Sequence, residues 1–193
     1  DQLNLNKEKV EIASSICKAD LISDLVGEYP ELQGVMGKYF AREQGFDNDI
    51  SEAISDHYLP VGADGRLPKK PISSAVAIID KIDLLVGFFG IDEKPTSSKD
   101  PFALRRLALG VIKIIIENKK DFKIRDLISY SSSLYMDQGF KFENKSLQNE
   151  LPNFLMDRLK FYMKEEKIRH DIIQASTNIL NIDQSVVIFG KAK

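Results

Sequence analysis

Apolar side chains recur at steps of three and four residues along most of the chain, which is the spacing of one face of an α-helix. This spacing predicts a first helix over residues 7–27, which Gly27 would end. Further helices are predicted at residues 30–43, 49–57, 72–89, 101–117, 123–137, 147–164 and 169–180. Residues 186–189 could form a short strand or a helix, and no other segment alternates like a strand. The pattern therefore predicts an all-α fold.

Several predicted helix ends carry residues that favour termini. Pro30 would begin the second helix, and Asp100-Pro101 combines a good N-cap with the imino acid preferred at the first helical position. Asp49, followed three residues later by Glu52, is a variant of a capping box. Residues 60–71 hold three of the seven prolines, so we predict a loop there.

Two pairs of glycines stand three residues apart inside apolar helical patterns: Gly34 with Gly37, and Gly87 with Gly90. A GxxG pair also occurs in the RNA-binding loops of KH domains. Within a helical pattern, such a pair more simply lets another helix approach closely. Gly87 and Gly90 also lie where the predicted helix must stop, and glycine readily adopts a left-handed C-terminal turn.

Composition allows a real core and one or two domains. The chain has 193 residues, 43% of them hydrophobic, and Cys17 is its only cysteine, so no internal disulfide can form. This is consistent with a reducing compartment. The amino-terminal residues are polar and do not resemble a signal peptide, and no apolar run is long enough to span a membrane.

The net charge of −2 hides an uneven distribution. Residues 1–58 hold 5 Lys and Arg against 12 Asp and Glu, whereas residues 59–118 hold 9 against 7, and residues 119–170 hold 11 against 8. Most of these charges can simply solvate helix faces. If the chain binds a phosphate backbone, the later segments would attract it and the first would repel it.

Five ordered blocks carry a family resemblance. They read EYPELQGVMGKYFA, SDHYLP, DKIDLLVGFFGI, KPTSSKDPFALRRLALGVIKIIIE and FLMDRLKFYMKEEKIRHDIIQA, and they lie between residues 21 and 175. Together they resemble the beta subunit of the bacterial two-subunit glycyl-tRNA synthetase. That subunit is much longer than this chain, and the chain starts at Asp1 rather than Met, so we expect an internal fragment.

The resemblance implies an HD-like helical domain at residues 1–118, followed by a helical connector at residues 119–193 that leads toward an anticodon-binding region. It implies a cytoplasmic aminoacyl-tRNA synthetase, a ligase of protein biosynthesis that joins glycine to tRNA(Gly) with ATP. The alpha subunit of an alpha2beta2 tetramer would form the adenylate. This chain would supply tRNA binding and scaffold, and would itself bind no cofactor and hold no catalytic residue.

Active HD proteins hold metal through a histidine, a His-Asp doublet and a later aspartate. His57 and Asp80 match positions where such proteins place site residues, but no histidine lies near residues 24–31, where the doublet belongs. We therefore expect no metal centre. The one doublet, His170-Asp171, comes too far downstream, and its carboxylate is better explained as a helix cap. A metal-dependent nucleotide phosphohydrolase remains the first alternative, and a purely structural helical module the second.

Asp80 and Asp83 lie three residues apart and would share a helix face. Buried without partners, they could act as acids or bases. The simpler interpretation is that they pair with Lys81, Arg105, Arg106 or His57 and fix helix packing. Cys17 lies on an apolar face and is better explained as core than as a nucleophile. The chain contains no Walker A, Rossmann or Gly-x-Ser-x-Gly motif.

Four basic residues are the candidates for RNA contact: Lys94, Lys99, Arg105 and Arg106. The lysines flank a polar loop, and the arginines follow on the first turns of the next helix. Adjacent helical residues point about 100° apart, so the two arginines should have different roles. We expect one to reach Asp80, Asp83 or Asp100, and the other to face solvent or RNA phosphate.

Overall fold

The computed structural model describes residues 5–62, 65–118, 123–142, 146–179 and 181–192, and these residues form α-helices, short helical turns and loops without a strand. The all-α prediction is confirmed for this part of the chain. The chain divides into two compact units, Asp1–Asp80 and Lys81–Lys193. The HD-like arrangement, and the predicted division into functional regions at residues 118 and 119, stay predictions.

In its described residues, the first unit contains four complete helices and the start of a fifth. These are α1 (Lys7–Ile16), α2 (Asp24–Glu28), α3 (Val35–Glu43), α4 (Asn48–Asp56) and α5 (Pro71–Gly90). Two 3₁₀ turns, Ala19–Ile22 and Pro30–Leu32, stand on either side of α2. The core joins α1, α3, α4 and the start of α5, and its buried members are Ala13, Cys17, Ala41, Ile50, Ala53, Ile54, Ile72 and Val76. Cys17 is therefore a core residue, as predicted.

The predicted helix at residues 7–27 is wrong as a single element. Asp20 is buried, and its carboxylate accepts hydrogen bonds from the backbone nitrogens of Gly34 (2.7 Å) and Gly37 (3.0 Å). Ser23 donates to the carbonyl of Asp20 and accepts from the nitrogen of Val26. Such local side-chain bonds compete with helix continuation, and the chain changes direction between α1 and α2.

The predicted start of the next helix at Pro30 is also wrong. Gly34 has a positive φ of 77°, so α3 begins only at Val35. A positive φ is a conformation that glycine adopts at little cost. Gly37 does pack closely, because a Cβ there would lie 2.7 Å from the side chain of Ile54. Helix α4 is capped by Asp47, which accepts from the nitrogen of Ile50, and not by the predicted Asp49.

The part of the second unit that the structure describes contains the end of α5 and five further helices. These are α6 (Leu104–Asn118), α7 (Ile124–Asp137), α8 (Leu151–Glu165), α9 (His170–Ile179) and α10 (Ile182–Ala192), with a π-helical turn at Ser146–Glu150 before α8. Helix α6 packs against α8 and α10. Its apolar segment is buried as predicted, and residues 111, 112 and 114–116 are almost inaccessible. The ambiguous tail is helical, and Ile182, Val186 and Phe189 face the interior.

The glycines of α5 serve close packing rather than the helix stop. A Cβ on Gly87 would lie 2.8 Å from the Tyr135 hydroxyl, and one on Gly90 would lie 2.5 Å from the ring of Phe142. The left-handed residue that follows the helix is Asp92, with φ of 66°. The packing prediction for this pair is therefore confirmed, and the prediction that one of them turns left-handed is wrong.

Candidate nucleic-acid interface

The loop between α5 and α6 is anchored at both ends. The rings of Phe88 and Phe102 stack with centroids 4.2 Å apart, so the start and the end of the loop are held together. Asp92 and Ala103 both have positive φ and turn the chain at these two points. A loop fixed in this way can present polar side chains from a rigid base.

Lys94 is held inside the second unit by two carboxylates. Its ammonium lies 2.5 Å from Asp92 and 2.5 Å from Glu150, which precedes α8. The hydrogen bond that Lys94 donates to Asp92, and then the one that it donates to Glu150, hold the pKa of Lys94 above its ordinary value. The charge of Lys94 is thus largely matched within the protein, and the residue braces the loop.

Lys99 closes a tight turn and leaves its side chain in solvent. The backbone nitrogen of Thr96 donates to the carbonyl of Lys99 at 2.9 Å, and the nitrogen of Lys99 donates to the Thr96 hydroxyl at 3.2 Å. The side chain is exposed and forms no ion pair with any described residue. Lys99 therefore offers an uncompensated positive charge on a fixed turn.

Arg105 supports the same turn from α6. Its guanidinium donates to the carbonyl of Thr96 and lies 3.8 Å from the carboxylate of Asp100. Asp100 also accepts from the nitrogens of Leu104 (2.8 Å) and Arg105 (3.0 Å). Asp100 is therefore the predicted cap, although the helix begins at Leu104 and not at Pro101. The prediction that one arginine reaches Asp80, Asp83 or Asp100 is confirmed by Arg105.

Arg106, by contrast, is exposed, and its guanidinium forms no ion pair among the residues that the structure describes. The four predicted RNA-contact residues thus divide into two kinds. Lys94 and Arg105 make internal contacts, whereas Lys99 and Arg106 present their charges to solvent.

His57 and Asp80, the predicted HD positions, both make contacts within the protein. His57 is fully buried, with Nδ1 2.6 Å from the carbonyl oxygen of Ile54 and its ring 3.8 Å from that of Tyr58. Asp80 forms an ion pair with Lys18. Burial alone would lower the pKa of Lys18, but the hydrogen bond and the charge of Asp80 raise it on balance. The carboxylate of Asp80 is therefore already matched by a positive charge.

Across the described ranges, no three His, Cys, Asp or Glu side chains come close enough together to hold a metal ion. The His170-Asp171 doublet is exposed, and the carboxylate of Asp171 pairs with Arg169 at 2.7 Å. These residues do not fit a metal centre of the HD type.

Asp80 and Asp83 each have a partner that the sequence pattern did not suggest. Asp80 pairs with Lys18. Asp83 accepts hydrogen bonds from the hydroxyls of Ser131 and Tyr135, each at 3.1 Å. Burial and then the charge of Asp83 raise the pKa of Tyr135 to about 12. Both carboxylates are partnered, so neither is placed as a free acid or base.

The beta-subunit family model, described as glycyl-tRNA synthetase beta subunit, matches residues 1–178. The chain belongs to this family. It is 44% identical over 184 residues to the glycine–tRNA ligase beta subunit of Rhodospirillum centenum, and this match covers 95% of the chain and 25% of the relative. It is 46% identical over 159 residues to that of Rickettsia canadensis, covering 82% of the chain and 23% of the relative.

The glycine–tRNA ligase beta subunit of Dinoroseobacter shibae is 38% identical over an alignment that covers the whole chain and 30% of the relative. The chain therefore spans between about a quarter and a third of the length of the family members it matches. Among its described residues, no helix is long and apolar enough to cross a bilayer.

Arg125, on the first turn of α7, is a further basic residue that the sequence pattern did not single out. Two adjoining cavities of about 360 and 310 Å³ share Arg125 and Pro152 in their walls. The rest of the lining is rich in hydroxyl and amide groups, from Ser129, Ser132, Gln148, Asn149, Asn153, Thr177 and Asn181. Arg125 is exposed and has no ion pair within the described ranges. Only the folded arrangement of α7, α8 and α9 reveals this groove.

Proposed function

We propose that this chain is part of the beta subunit of glycine–tRNA ligase, which joins glycine to tRNA(Gly) at the expense of ATP. In this proposal the alpha subunit of an alpha2beta2 enzyme carries the adenylate-forming site, and the assembly works in the cytoplasm. The chain contributes tRNA contacts and scaffold. Its membership of the beta-subunit family, and its similarity to glycine–tRNA ligase beta subunits, support this assignment.

The observation that carries the tRNA contact is the division of the four basic residues. Lys99 and Arg106 are exposed and lack a carboxylate partner in the described structure. They stand on a turn and a helix that Lys94 and Arg105 hold in place. An RNA phosphate can bind there without first breaking an ion pair within the protein. The planar guanidinium of Arg106 can bind two phosphate oxygens at once.

The Arg125 groove is a second candidate contact. Its hydroxyl and amide groups can donate to phosphate and accept from ribose hydroxyls, and its guanidinium supplies positive charge. Residues 119–170, which supply most of the groove lining, also have the most positive charge balance of the chain. Such a surface is suited to sequence-independent contact with an RNA backbone.

The test measures the affinity of the assembled alpha–beta enzyme for tRNA(Gly) over a range of salt concentrations. Lys99→Ala, Arg106→Ala and Arg125→Ala should each weaken binding and reduce the slope of log affinity against log salt by about one unit. Lys69→Ala is the matched control, because Lys69 is exposed and forms no ion pair with the described residues of the first unit. Glycyl-adenylate formation should stay nearly unchanged in all four variants.

Wild-type slopes in all three variants, with unchanged melting curves, would contradict the RNA contact and favour the structural helical module. The phosphohydrolase alternative has no support in the contacts of His57 and Asp80. Metal-dependent phosphate release by the purified protein, lost in His57→Ala, would restore that alternative.

A further inference from the structure

Eight large apolar side chains of the first unit are exposed in the segment from Leu21 to Phe40 and in the loop after α4. We call this group the apolar surface, and it consists of Leu21, Ile22, Leu25, Tyr29, Val35, Tyr39, Phe40 and Val61. All of them are exposed, and Ile22 reaches 91%. The 3₁₀ turn Ala19–Ile22 contacts both α2 and α3, so these short elements lie together. Concentrated exposed apolar groups of this kind mark interaction sites.

The apolar surface contains a cavity of about 520 Å³. Val35, Tyr39 and Val61 line it together with Tyr58 and Leu59. Gln33 donates to the Tyr58 hydroxyl at 2.6 Å, which fixes one aromatic wall. A cavity of this size, with apolar and aromatic side chains in its wall, can take an aromatic or branched side chain from a partner. Such anchors supply most of the binding energy of protein interfaces.

The charges of the cavity wall and of the neighbouring helix α2 indicate the chemistry of the partner. Its two cations are already matched, Lys38 by Glu52 at 2.8 Å and Arg66 by Asp56 at 3.7 Å. The exposed carboxylates Asp24, Glu28 and Glu31 form no ion pair with any residue that the structure describes, and Glu31 lines the cavity itself. The uncompensated charge is therefore negative. It repels a phosphate backbone and attracts a protein surface that carries Lys or Arg.

We propose that the apolar surface docks the alpha subunit, with one apolar side chain of alpha in the cavity and basic residues of alpha facing Asp24, Glu28 and Glu31. This rests on the proposed function, which supplies two macromolecular partners, the alpha subunit and tRNA. The negative rim disfavours tRNA. An apolar patch with a charged rim is the composition of an interface between subunits.

The experiment compares two single variants of the complete beta subunit. Ile22→Asp places a charge in the apolar surface, and Ile172→Asp makes the same change at a half-exposed residue of α9. Binding of the purified alpha subunit is measured by analytical ultracentrifugation. We expect Ile22→Asp to weaken binding by roughly tenfold or more, and Ile172→Asp to leave it unchanged. Glu28→Lys should weaken binding and reduce its salt dependence, because it reverses a rim charge.

The other outcomes overturn the proposal in distinguishable ways. If wild-type beta binds alpha and Ile22→Asp binds it equally well, the docking surface is wrong and the proposed function stands. If wild-type beta does not bind alpha at all, the proposed function fails with it. A lower melting temperature of isolated beta carrying Ile22→Asp would show that another part of beta covers the surface. Weakened tRNA binding with intact alpha binding would assign the surface to RNA.

Discussion

The carboxylate of Asp100 accepts a hydrogen bond from the backbone nitrogen of Leu104 at 2.8 Å, and it thereby caps α6 from four residues upstream. The same carboxylate accepts from the nitrogen of Arg105 at 3.0 Å. Asp100→Ala should lower the free energy of unfolding by about 1 kcal/mol, within a range of roughly 0.5–2 kcal/mol. Asp100→Asn keeps one acceptor oxygen and should cost less. A denaturant melt of Asp100→Ala identical to wild type would show that the cap does not stabilise the helix.

Truncation of the two adjacent arginines should affect the stability of the protein differently. Arg105→Ala removes the guanidinium that donates to the carbonyl of Thr96, so we expect the free energy of unfolding to fall by about 1 kcal/mol. Arg106→Ala removes an exposed side chain and should stay within about 0.5 kcal/mol of wild type. Arg106→Ala should reduce the salt dependence of tRNA binding more than Arg105→Ala does. Equal destabilisation by both changes would mean that Arg106 also makes an internal contact.

Because Gly90 lies close to the ring of Phe142, replacing Gly90 by alanine should destabilise the fold. Gly90→Ala would place its Cβ 2.5 Å from the ring, so the ring must move, and overpacking of this kind costs about 1–3 kcal/mol. Gly27→Ala is the control, because no atom lies within 4 Å of the added Cβ. There the substitution should be neutral or stabilising by up to about 1 kcal/mol. Adding Phe142→Leu to Gly90→Ala should recover part of the loss, and failure to do so would place the strain elsewhere.

The protein should lose stability at alkaline pH as Tyr135 ionises. Burial and the Asp83 carboxylate disfavour the phenolate, so the pKa of Tyr135 is about 12 in the folded chain against an ordinary value of 10.0. The folded chain therefore holds this proton more tightly than the unfolded chain does. The resulting contribution to stability is complete below pH 10 and is lost as the pH rises toward 12.

The measurement is an ultraviolet titration of phenolate absorbance, compared between wild type and Tyr135→Phe. The difference should contain one tyrosine that ionises near pH 12, and Asp83→Asn should shift it downward. A Tyr135→Phe difference spectrum that titrates near pH 10 would contradict the described environment.

The sequence was sufficient where structure depends on neighbours along the chain. The all-round apolar segment of α6 predicted burial, and the helices at residues 72–89, 123–137 and 147–164 lie within a few residues of their observed bounds. Errors arose where a distant group decides the local conformation. Asp20 binds the amides of Gly34 and Gly37 from 14 and 17 residues away, and no periodicity in residues 30–43 reports this.

The candidate site shows the same limit. The spacing of the four basic residues identified the loop between α5 and α6 as the candidate segment. It did not show which of the four side chains form ion pairs within the protein. That depends on Glu150, which comes to Lys94 from the turn before α8, and on the backbone carbonyl of Thr96, which binds Arg105. Lys18, the partner of Asp80, lies on the short segment after α1, far from it in sequence. Arg125 lacked any local signal, because its groove forms only when three helices assemble.

The bracing of Lys94 between Asp92 and Glu150 also has a consequence for its reactivity. An acylating reagent attacks only the deprotonated amine, and the raised pKa of Lys94 makes that form scarce. Lys99 is exposed and forms no ion pair in the described structure, so it should be modified first. Mass spectrometry of briefly acetylated protein would therefore find the label on Lys99 long before Lys94. An enzyme that acetylates lysines should also modify Lys99 before Lys94. Because Lys99 has no ion pair in the described structure, removing its charge should not destabilise the fold.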